Sequence, residues 1–213
     1  MLITDLSKDH VQVQDVIGSD NLIASRAGIC MKGEEVLQYV IDTEAVEHLI
    51  ELLIHRKHTS PFEFAGLTLS VKCPIFVARQ WMRHRTFRYL ERSGRYCTTT
   101  DEVYLPEDLK ADETLVQNLT YLFGTYDYYV DKGMSKQEAR VILPLGTYTE
   151  FVFQADLHNL LHFLKLRLHP SAQPEMRFYA QCVADKVKEN FPITWDCFSK
   201  LELEYDRETK RQG

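Results

Sequence analysis

The sequence predicts an α+β fold, with several helices and a small antiparallel-rich sheet in one domain spanning residues 1–213. Residues 43–57 have the three- and four-residue apolar spacing of an amphipathic helix. Residues 66–72 alternate apolar and polar residues, as a half-buried strand does. The 213 residues contain no internal repeat or linker, and 45% are hydrophobic and 26% charged. These values are ordinary for a soluble globular protein that can bury a core.

The N-terminal half contains the clearest local signals. The first forty residues are expected to be irregular, with short apolar runs at 11–17 and 22–29. Residues 43–57 are predicted to be a helix, because Val46, Leu49, Ile50, Leu53 and Ile54 share one face.

A strand and a short helix are expected next. Residues 66–72 alternate Leu67, Leu69 and Val71 with polar residues, which predicts a half-buried strand. Pro74 is expected at the first position of a short helix that carries Trp81 inward.

The C-terminal half is predicted to be mostly helical. A helix is expected at 112–131, ended by Gly133. The capping box Ser135 to Glu138 begins another helix, which Pro144 stops. A strand at 148–154, helices at 156–168 and 172–189, and a frayed polar tail at about 204–213 complete the prediction.

Composition excludes several classes of protein. No apolar run approaches membrane-spanning length, and the N-terminus lacks the pattern of a signal peptide, so we expect a cytoplasmic protein without membrane partners. The five cysteines are scattered without a C-x-x-C pair, which argues against a disulfide framework and a structural zinc site. His158 and His162 could share a metal, but no third ligand is apparent, so no metal is predicted.

The most informative feature is the arginine segment, which we define as Arg79 to Arg95. It contains six of the chain's thirteen arginines, no lysine and a single acidic residue, Glu91. The segment is therefore about five charges positive in a protein whose formal net charge is -6. Arginine without lysine favours bidentate recognition of phosphate or carboxylate. A basic island in an acidic protein indicates a small anionic ligand rather than a long nucleic acid.

The arginine segment also carries a motif. Arg83-His84-Arg85, followed by Glu91-Arg92-Ser93-Gly94-Arg95, resembles the signature R-H-R-x-x-S-x-N-E-x-S-x-R of the flavin-dependent thymidylate synthases. The resemblance continues in order over residues 20 to 195. Further matching segments are His58 to Glu63, Pro74 to Gln80, Glu138 to Arg140 with Leu143 to Leu145, and Phe163 to Arg167 with Ala172, Gln173 and Glu175.

The resemblance implies an enzyme that converts dUMP to dTMP. Methylenetetrahydrofolate would donate the carbon, and FAD reduced by NADPH would donate the hydride. No enzymic cysteine would be needed, and Cys97, the only cysteine close to positive charge, is interpreted as an ordinary residue. The family's fold is mixed α/β, and it assembles as a homotetramer with active sites built between subunits.

The resemblance also assigns residues. Those expected to bind the nucleotide are Gln80, Arg83, Glu91, Ser93, Gly94, Arg95, Arg140 and Arg167. Arg167, Arg83 and Ser93 are the candidates for direct roles in catalysis, because fixed positive charge can stabilise an electron-rich pyrimidine ring. Those expected to bind the flavin are His58, Ser60, Glu63, Arg83, His84, Arg85, Arg88, Glu91, Asp156 and His162.

The sequence departs from the family pattern mainly on the expected flavin side. The departures are Met31, Phe64, Arg88, Leu90, Asp156 and His162. They leave two alternatives open. One is a related enzyme that modifies C5 of another pyrimidine nucleotide, such as UMP. The other is a nucleotide- or RNA-binding module that has lost the flavin, in which aromatic residues between the arginines would stack on bases.

Overall fold

A computed structural model describes residues 1–32 and 42–204. Its strands are β1 (Leu2–Ile3), β2 (Val11–Ile17), β3 (Gly66–Pro74), β4 (Arg88–Glu91), β5 (Glu102–Val103) and β6 (Tyr148–Asp156). Its α-helices are α1 (Asp20–Lys32), α2 (Thr43–His55), α3 (Ile75–Trp81), α4 (Glu107–Lys110), α5 (Glu113–Asp131), α6 (Lys136–Ala139), α7 (Leu157–Arg167), α8 (Pro174–Asn190) and α9 (Pro192–Phe198). Short 3-10 helices form at Lys8–His10, Ser60–Phe64 and Arg140–Ile142, and Ser199–Glu204 is π-helical.

The strands form two sheets. Four of them lie in the order β2-β3-β6-β4. The other two, β1 and β5, pair in parallel, with Leu2 beside Glu102 and Ile3 beside Val103. The prediction of mixed helices and sheet is therefore confirmed.

The expectation of irregular structure was wrong within residues 1–32. The strand β2 and the helix α1 occupy the apolar runs at 11–17 and 22–29. Residues 14–17 of β2 are exposed, so the strand lacks the alternation of burial that a sequence pattern can detect. Position 74 is also corrected: Pro74 is the last residue of β3 and the N-cap of α3, not its first helical residue.

Three predicted helix starts are confirmed in atomic detail. Asp112, Ser135 and Asp156 are the N-caps of α5, α6 and α7, and each side chain accepts a hydrogen bond from a backbone N–H in the first turn. The hydroxyl of Ser135 also donates to the carboxylate of Glu138 at 2.6 Å, so the two residues of the predicted capping box contact each other through their side chains. The α6 helix is nevertheless only four residues long and continues as the 3-10 turn of Arg140.

The chain forms two compact units. The first unit contains residues 1–12, 70–85 and 89–153, and the second contains residues 13–69, 86–88 and 154–213. That the two units belong to one domain stays a prediction. One hydrophobic cluster in the first unit joins β5 to α5. Its buried members are Val103, Leu105, Leu119 and Phe123.

The second unit packs α2, α7, α8 and α9 around a core that includes Ile50, Leu160 and Val183, each with no exposed surface. Asp20, at the start of α1, is buried in this unit. Its carboxylate accepts hydrogen bonds from the backbone of Ile193 and Thr194 and from the Thr194 hydroxyl, at 2.6 to 3.1 Å. The buried charge is therefore paired with donors at the start of α9, as a buried carboxylate requires.

Two predicted features fall partly or wholly outside the described residues. These are the side chain of Met31 and residues 205–213 of the expected polar tail. Over residues 1–32 and 42–204, no helix is both long enough and apolar enough to cross a bilayer.

The backbone approach at Gly66 yields a stability prediction. A Cβ atom at this position would lie 2.3 Å from the carbonyl oxygen of Ala155 and 2.9 Å from the Cα of Asp156. Because the obstacle is backbone, we expect Gly66→Ala to lower the free energy of unfolding by about 2 to 4 kcal/mol in urea denaturation.

Gly124→Ala is the matched control for that substitution. Gly124 lies inside α5 and has no atom within 4 Å of an added Cβ. Alanine should raise the free energy of unfolding there by up to about 1 kcal/mol, since it favours the helix. Equal effects of the two substitutions would contradict the proposed close approach.

Candidate functional site

Aromatic residues anchor those parts of the arginine segment that belong to the first unit, residues 79–85 and 89–95. The ring of Trp81 is fully buried and packs on Phe151 and Phe153 at centroid distances of 5.5 and 5.3 Å. Tyr89 packs on the same two rings, at 6.1 and 6.3 Å. The Tyr89 hydroxyl lies 2.8 Å from the carbonyl oxygen of Trp81 and 3.2 Å from that of His84. Burial raises the pKa of Tyr89, so the hydroxyl stays protonated and can donate to these carbonyls.

Most arginines of the segment lie at the surface. Arg79, Arg83, Arg85, Arg88 and Arg95 are all exposed. The fold therefore buries the aromatic side chains of the segment and leaves its positive charges at the surface, where they can meet an anion.

A cavity of about 380 Å³ in the first unit collects part of the predicted nucleotide site. Five residues that the sequence assigned to the nucleotide line it, namely Glu91, Ser93, Gly94, Arg95 and Arg140. Gln80 and Arg83 also belong to the first unit but do not line this cavity. The cavity thus unites the second half of the motif with an arginine more than forty residues away in sequence.

Gly94 allows Arg140 to approach the loop. A Cβ atom on Gly94 would lie 3.0 Å from the Nη1 atom and 3.3 Å from the Cδ atom of Arg140. The absence of a side chain lets the guanidinium group pack directly against the backbone of residue 94. Arg95 is oriented separately, because its Nε donates to the amide oxygen of Gln137 at 2.7 Å and its guanidinium lies over the ring of Tyr96.

Neighbouring side chains fix the acidic and basic groups around the cavity. The hydroxyl of Thr149 donates to the carboxylate of Glu91 at 2.7 Å. Arg92, which was not assigned to a ligand, pairs with Glu150 at 3.1 Å and donates to the carbonyl oxygen of Thr98. Arg92 therefore holds the loop to β6, while Arg95 and Arg140 remain beside the cavity.

Sequence reasoning missed three residues that support the site, which are Gln137, Thr149 and Lys136. The Nζ of Lys136 donates to the hydroxyl of Thr98 at 3.0 Å. Each of them acts across 38 to 58 positions of sequence on a residue of the loop or of β4. No local pattern could have revealed these contacts.

The second unit holds the other predicted residues. Arg167 is the last residue of α7 and is half-buried. His58, Ser60 and Glu63 are exposed in and before the 3-10 helix that follows α2. The carboxylate of Asp156 accepts hydrogen bonds from the backbone and the side-chain amide of Asn159 at 2.7 to 3.0 Å, so its first role is to begin α7.

A second cavity, of about 230 Å³, lies within this unit beside His162. His158, Lys57 and Lys165 also line it, together with apolar residues such as Phe62. The carboxylate of Glu202 bridges the ammonium groups of Lys57 and Lys165. The lining of this cavity therefore combines an internally paired cluster of charges and two imidazole rings with apolar side chains.

The other departures from the family pattern are at the surface. The side chain of Leu90 is 77% exposed and that of Phe64 is 56% exposed. The guanidinium of Arg26 lies over the ring of Phe64 at 5.6 Å. Among the described residues, no group of three or more histidine, cysteine or acidic side chains could hold a metal ion.

The cysteines differ sharply in their surroundings. Cys73 and Cys182 are buried, and desolvation raises the pKa of Cys73. Burial also raises the pKa of Cys197, to about 11, with the nearby carboxylates adding to the effect. Cys97 is exposed and lines the cavity of Arg95 and Arg140. Of these four thiols, only Cys97 is accessible to a reagent in the folded protein.

Comparison with known proteins agrees with this geometry. The family described as thymidylate synthase complementing protein matches residues 12–193. Flavin-dependent thymidylate synthase of Thermus thermophilus is 39% identical over 96% of this chain and 80% of its own length. The enzyme of the same name from Pseudothermotoga lettingae is 36% identical over 97% of both chains. A UMP/dUMP methylase from Streptomyces cacaoi, solved with 5-bromo-dUMP, superposes with a TM-score of 0.88 at 25% identity, covering 94% of this chain and 97% of its own.

Thiol labelling tests the arrangement around Cys97. In a Cys30→Ser background, we expect one thiol to react rapidly with an aromatic disulfide reagent at about pH 8 and the others to react only on unfolding. At that pH Cys197 is almost fully protonated, because its pKa is about 11. Cys97→Ala should abolish the rapid phase. Rapid labelling of a second thiol, or of none, would show that the cysteines are placed differently.

Proposed function

The chain belongs to the thymidylate synthase complementing protein family, and we propose that it converts dUMP to dTMP by reductive methylation. Methylenetetrahydrofolate serves as carbon donor, and FAD with NADPH as the source of hydride. The observation that carries this proposal is the cavity at which Ser93, Gly94, Arg95 and Arg140 meet. Its arginines and hydroxyl groups suit the dianionic phosphate of a nucleoside monophosphate.

The phosphate is assigned to Ser93, Gly94 and Arg95. A hydroxyl, a glycine backbone and a guanidinium group offer several donors to one anion within three successive residues. Glu91, held by Thr149, accepts hydrogen bonds from a neutral part of the nucleotide. Arg140 and Gln80 complete the set of nucleotide ligands.

Arg167 and Arg83 are assigned to the pyrimidine ring. C5 of uracil becomes a better nucleophile when negative charge can accumulate on the ring oxygens. A fixed guanidinium group stabilises that charge without the reorganisation that water would need. This arrangement needs no attacking thiol, so Cys97, which is exposed at the nucleotide cavity, is assigned no part in the reaction.

FAD is assigned to the surface beside His162. The ammonium groups of Lys57 and Lys165 there already pair with the carboxylate of Glu202, and a flavin dinucleotide would bring its pyrophosphate to the same groups. The resemblance assigns the cofactor to His58, Ser60, Glu63, Arg88, Asp156 and His162, and also to Arg83, His84, Arg85 and Glu91 of the arginine segment. When bound, the reduced flavin supplies the hydride that completes the methyl group.

Assembly and location follow as further parts of the proposal. We infer a homotetramer whose active sites lie between subunits, because several assigned arginines remain exposed in the single chain. An exposed thiol at Cys97 suits the reducing cytoplasm better than an oxidising compartment. Light scattering of the purified protein measures the first inference directly.

UMP is the second candidate substrate. The structural relative from Streptomyces cacaoi is named a UMP/dUMP methylase and superposes over 94% of this chain. The two substrates differ by one hydroxyl group, and either would present the same phosphate to Arg95. Mass spectrometry after incubation with FAD, NADPH, methylenetetrahydrofolate and each nucleotide decides between them. Absence of any methylated product from either nucleotide, in a protein that has taken up flavin, would refute the proposal.

Arg95 supplies a prediction for substrate binding. We expect Arg95→Ala to raise the dissociation constant for dUMP roughly 10- to 100-fold, because a charge-assisted hydrogen bond to phosphate is lost. Arg79→Ala removes the same charge from an exposed position that does not line the cavity. It should change the constant less than about threefold, through screened long-range attraction alone. Calorimetry measures both dissociation constants. An equal loss of affinity for dUMP in the two variants would mean that Arg95 acts only through its charge and makes no direct contact with the phosphate.

Arg167 supplies a prediction for turnover. We expect Arg167→Ala to abolish dTMP formation while the thermal transition of the protein stays close to that of the wild type. Arg167 is half-buried at the C-terminal end of α7 and is not one of the buried residues of that helix, so the helix core remains intact. Full activity in this variant would overturn the assigned role.

A further inference from the structure

The guanidinium group of Arg95 is held on two sides. Its Nε donates to the amide oxygen of Gln137 at 2.7 Å, and its Cζ lies over the ring of Tyr96, 5.4 Å from the ring centroid. Its two Nη atoms donate no hydrogen bond to any described residue. Arg95 is exposed and lines the cavity of about 380 Å³. These contacts therefore orient the guanidinium group through Nε and leave both Nη atoms able to donate to another partner.

The short helix α6 supplies Gln137. It begins at the N-cap Ser135 and is only four residues long. The preceding residue of this helix, Lys136, donates through its Nζ to the hydroxyl of Thr98 at 3.0 Å and to the carbonyl oxygen of Tyr96 at 3.4 Å. Two successive residues of α6 therefore contact residues 95–98. Lys136 binds the chain beyond Arg95, and Gln137 binds the arginine side chain itself.

We propose that Gln137 is a positioning residue that orients Arg95 for the phosphate of the nucleotide. The inference rests on the proposed function, in which Arg95 binds that phosphate. An exposed arginine side chain occupies several rotamers, and ordering it during binding lowers the affinity for the ligand. Because Gln137 already orders the guanidinium group through Nε, less side-chain freedom is lost when the Nη atoms donate to phosphate oxygens.

The neighbouring arginine of the segment shows what a neutral partner contributes. Arg92 pairs with the carboxylate of Glu150 at 3.1 Å, so its charge is compensated within the protein. Gln137 offers Arg95 an acceptor oxygen that carries no charge. The positive charge of Arg95 therefore remains available to attract a dianionic phosphate, while its orientation is fixed.

Gln137→Met tests this inference, because it removes the acceptor oxygen and keeps the length of the side chain. We expect the dissociation constant for dUMP, measured by calorimetry, to rise about 3- to 10-fold, since Arg95 must now be ordered during binding. The constant for deoxyuridine, which has no phosphate, should change less than about twofold. The melting temperature should stay close to that of the wild type, because Gln137 is exposed.

A double-mutant cycle shows whether Gln137 acts through Arg95. In an Arg95→Ala background, Gln137→Met should change the dissociation constant for dUMP by less than about twofold, because the side chain that it orients is absent. Gln181→Met is the matched control. Gln181 is also exposed and donates to Asp185 at 2.9 Å, but it does not line the cavity of Arg95. This variant should bind dUMP as tightly as the wild type.

The possible outcomes are distinct. If the wild type binds dUMP and Gln137→Met binds it equally well, the inference fails while the proposed function stands. A loss of affinity in the Arg95→Ala background as large as that in the wild type would mean that Gln137 acts independently of Arg95, and would also overturn the inference. Equal losses for dUMP and deoxyuridine would exclude a role at the phosphate. Failure of the wild type to bind dUMP would refute the proposed function, and the inference with it.

Discussion

The hydroxyl of Tyr89 makes the contacts on which the arrangement of the arginine segment depends. It donates to the carbonyl oxygens of Trp81 and His84, at opposite ends of the turn that carries Arg83. The rings of Trp81 and Tyr89 both pack on Phe151 and Phe153, so the turn is held by burial as well as by hydrogen bonds. Exposed arginines repel one another. A turn that cannot unfold holds these positive charges close together, so an anionic ligand that binds there relieves the repulsion.

The sequence predicted the helices and strands that have a periodic apolar pattern of their own. It missed elements that are exposed or that depend on contacts with distant residues. The helix α5 has an apolar face and a capping aspartate, and the strand β3 has buried residues at alternate positions, so both were predicted close to their observed bounds. Strand β2 is largely exposed and carries little periodic signal. The helix α9 is only seven residues long and depends on the buried carboxylate of Asp20, which is 173 positions away from Ile193. Tertiary contacts of this kind decide the structure of short segments.

The candidate site likewise contains residues that the sequence predicted and residues that it missed. The motif identified Ser93, Gly94 and Arg95, and its distant companion Arg140 followed from the family resemblance; the structure brings these four residues to one cavity. The groups that orient them, such as Gln137 on Arg95 and Thr149 on Glu91, have no signature of their own.

Reductive methylation requires that the protein bind a pyrimidine nucleotide and a flavin together. The visible absorption spectrum of the protein reconstituted with FAD, recorded while dUMP is added, measures whether it does. We expect a bound-flavin spectrum that changes with dUMP and saturates at one nucleotide per chain. A flavin spectrum that does not respond to dUMP, although calorimetry shows the nucleotide to be bound, would refute reductive methylation by the bound flavin.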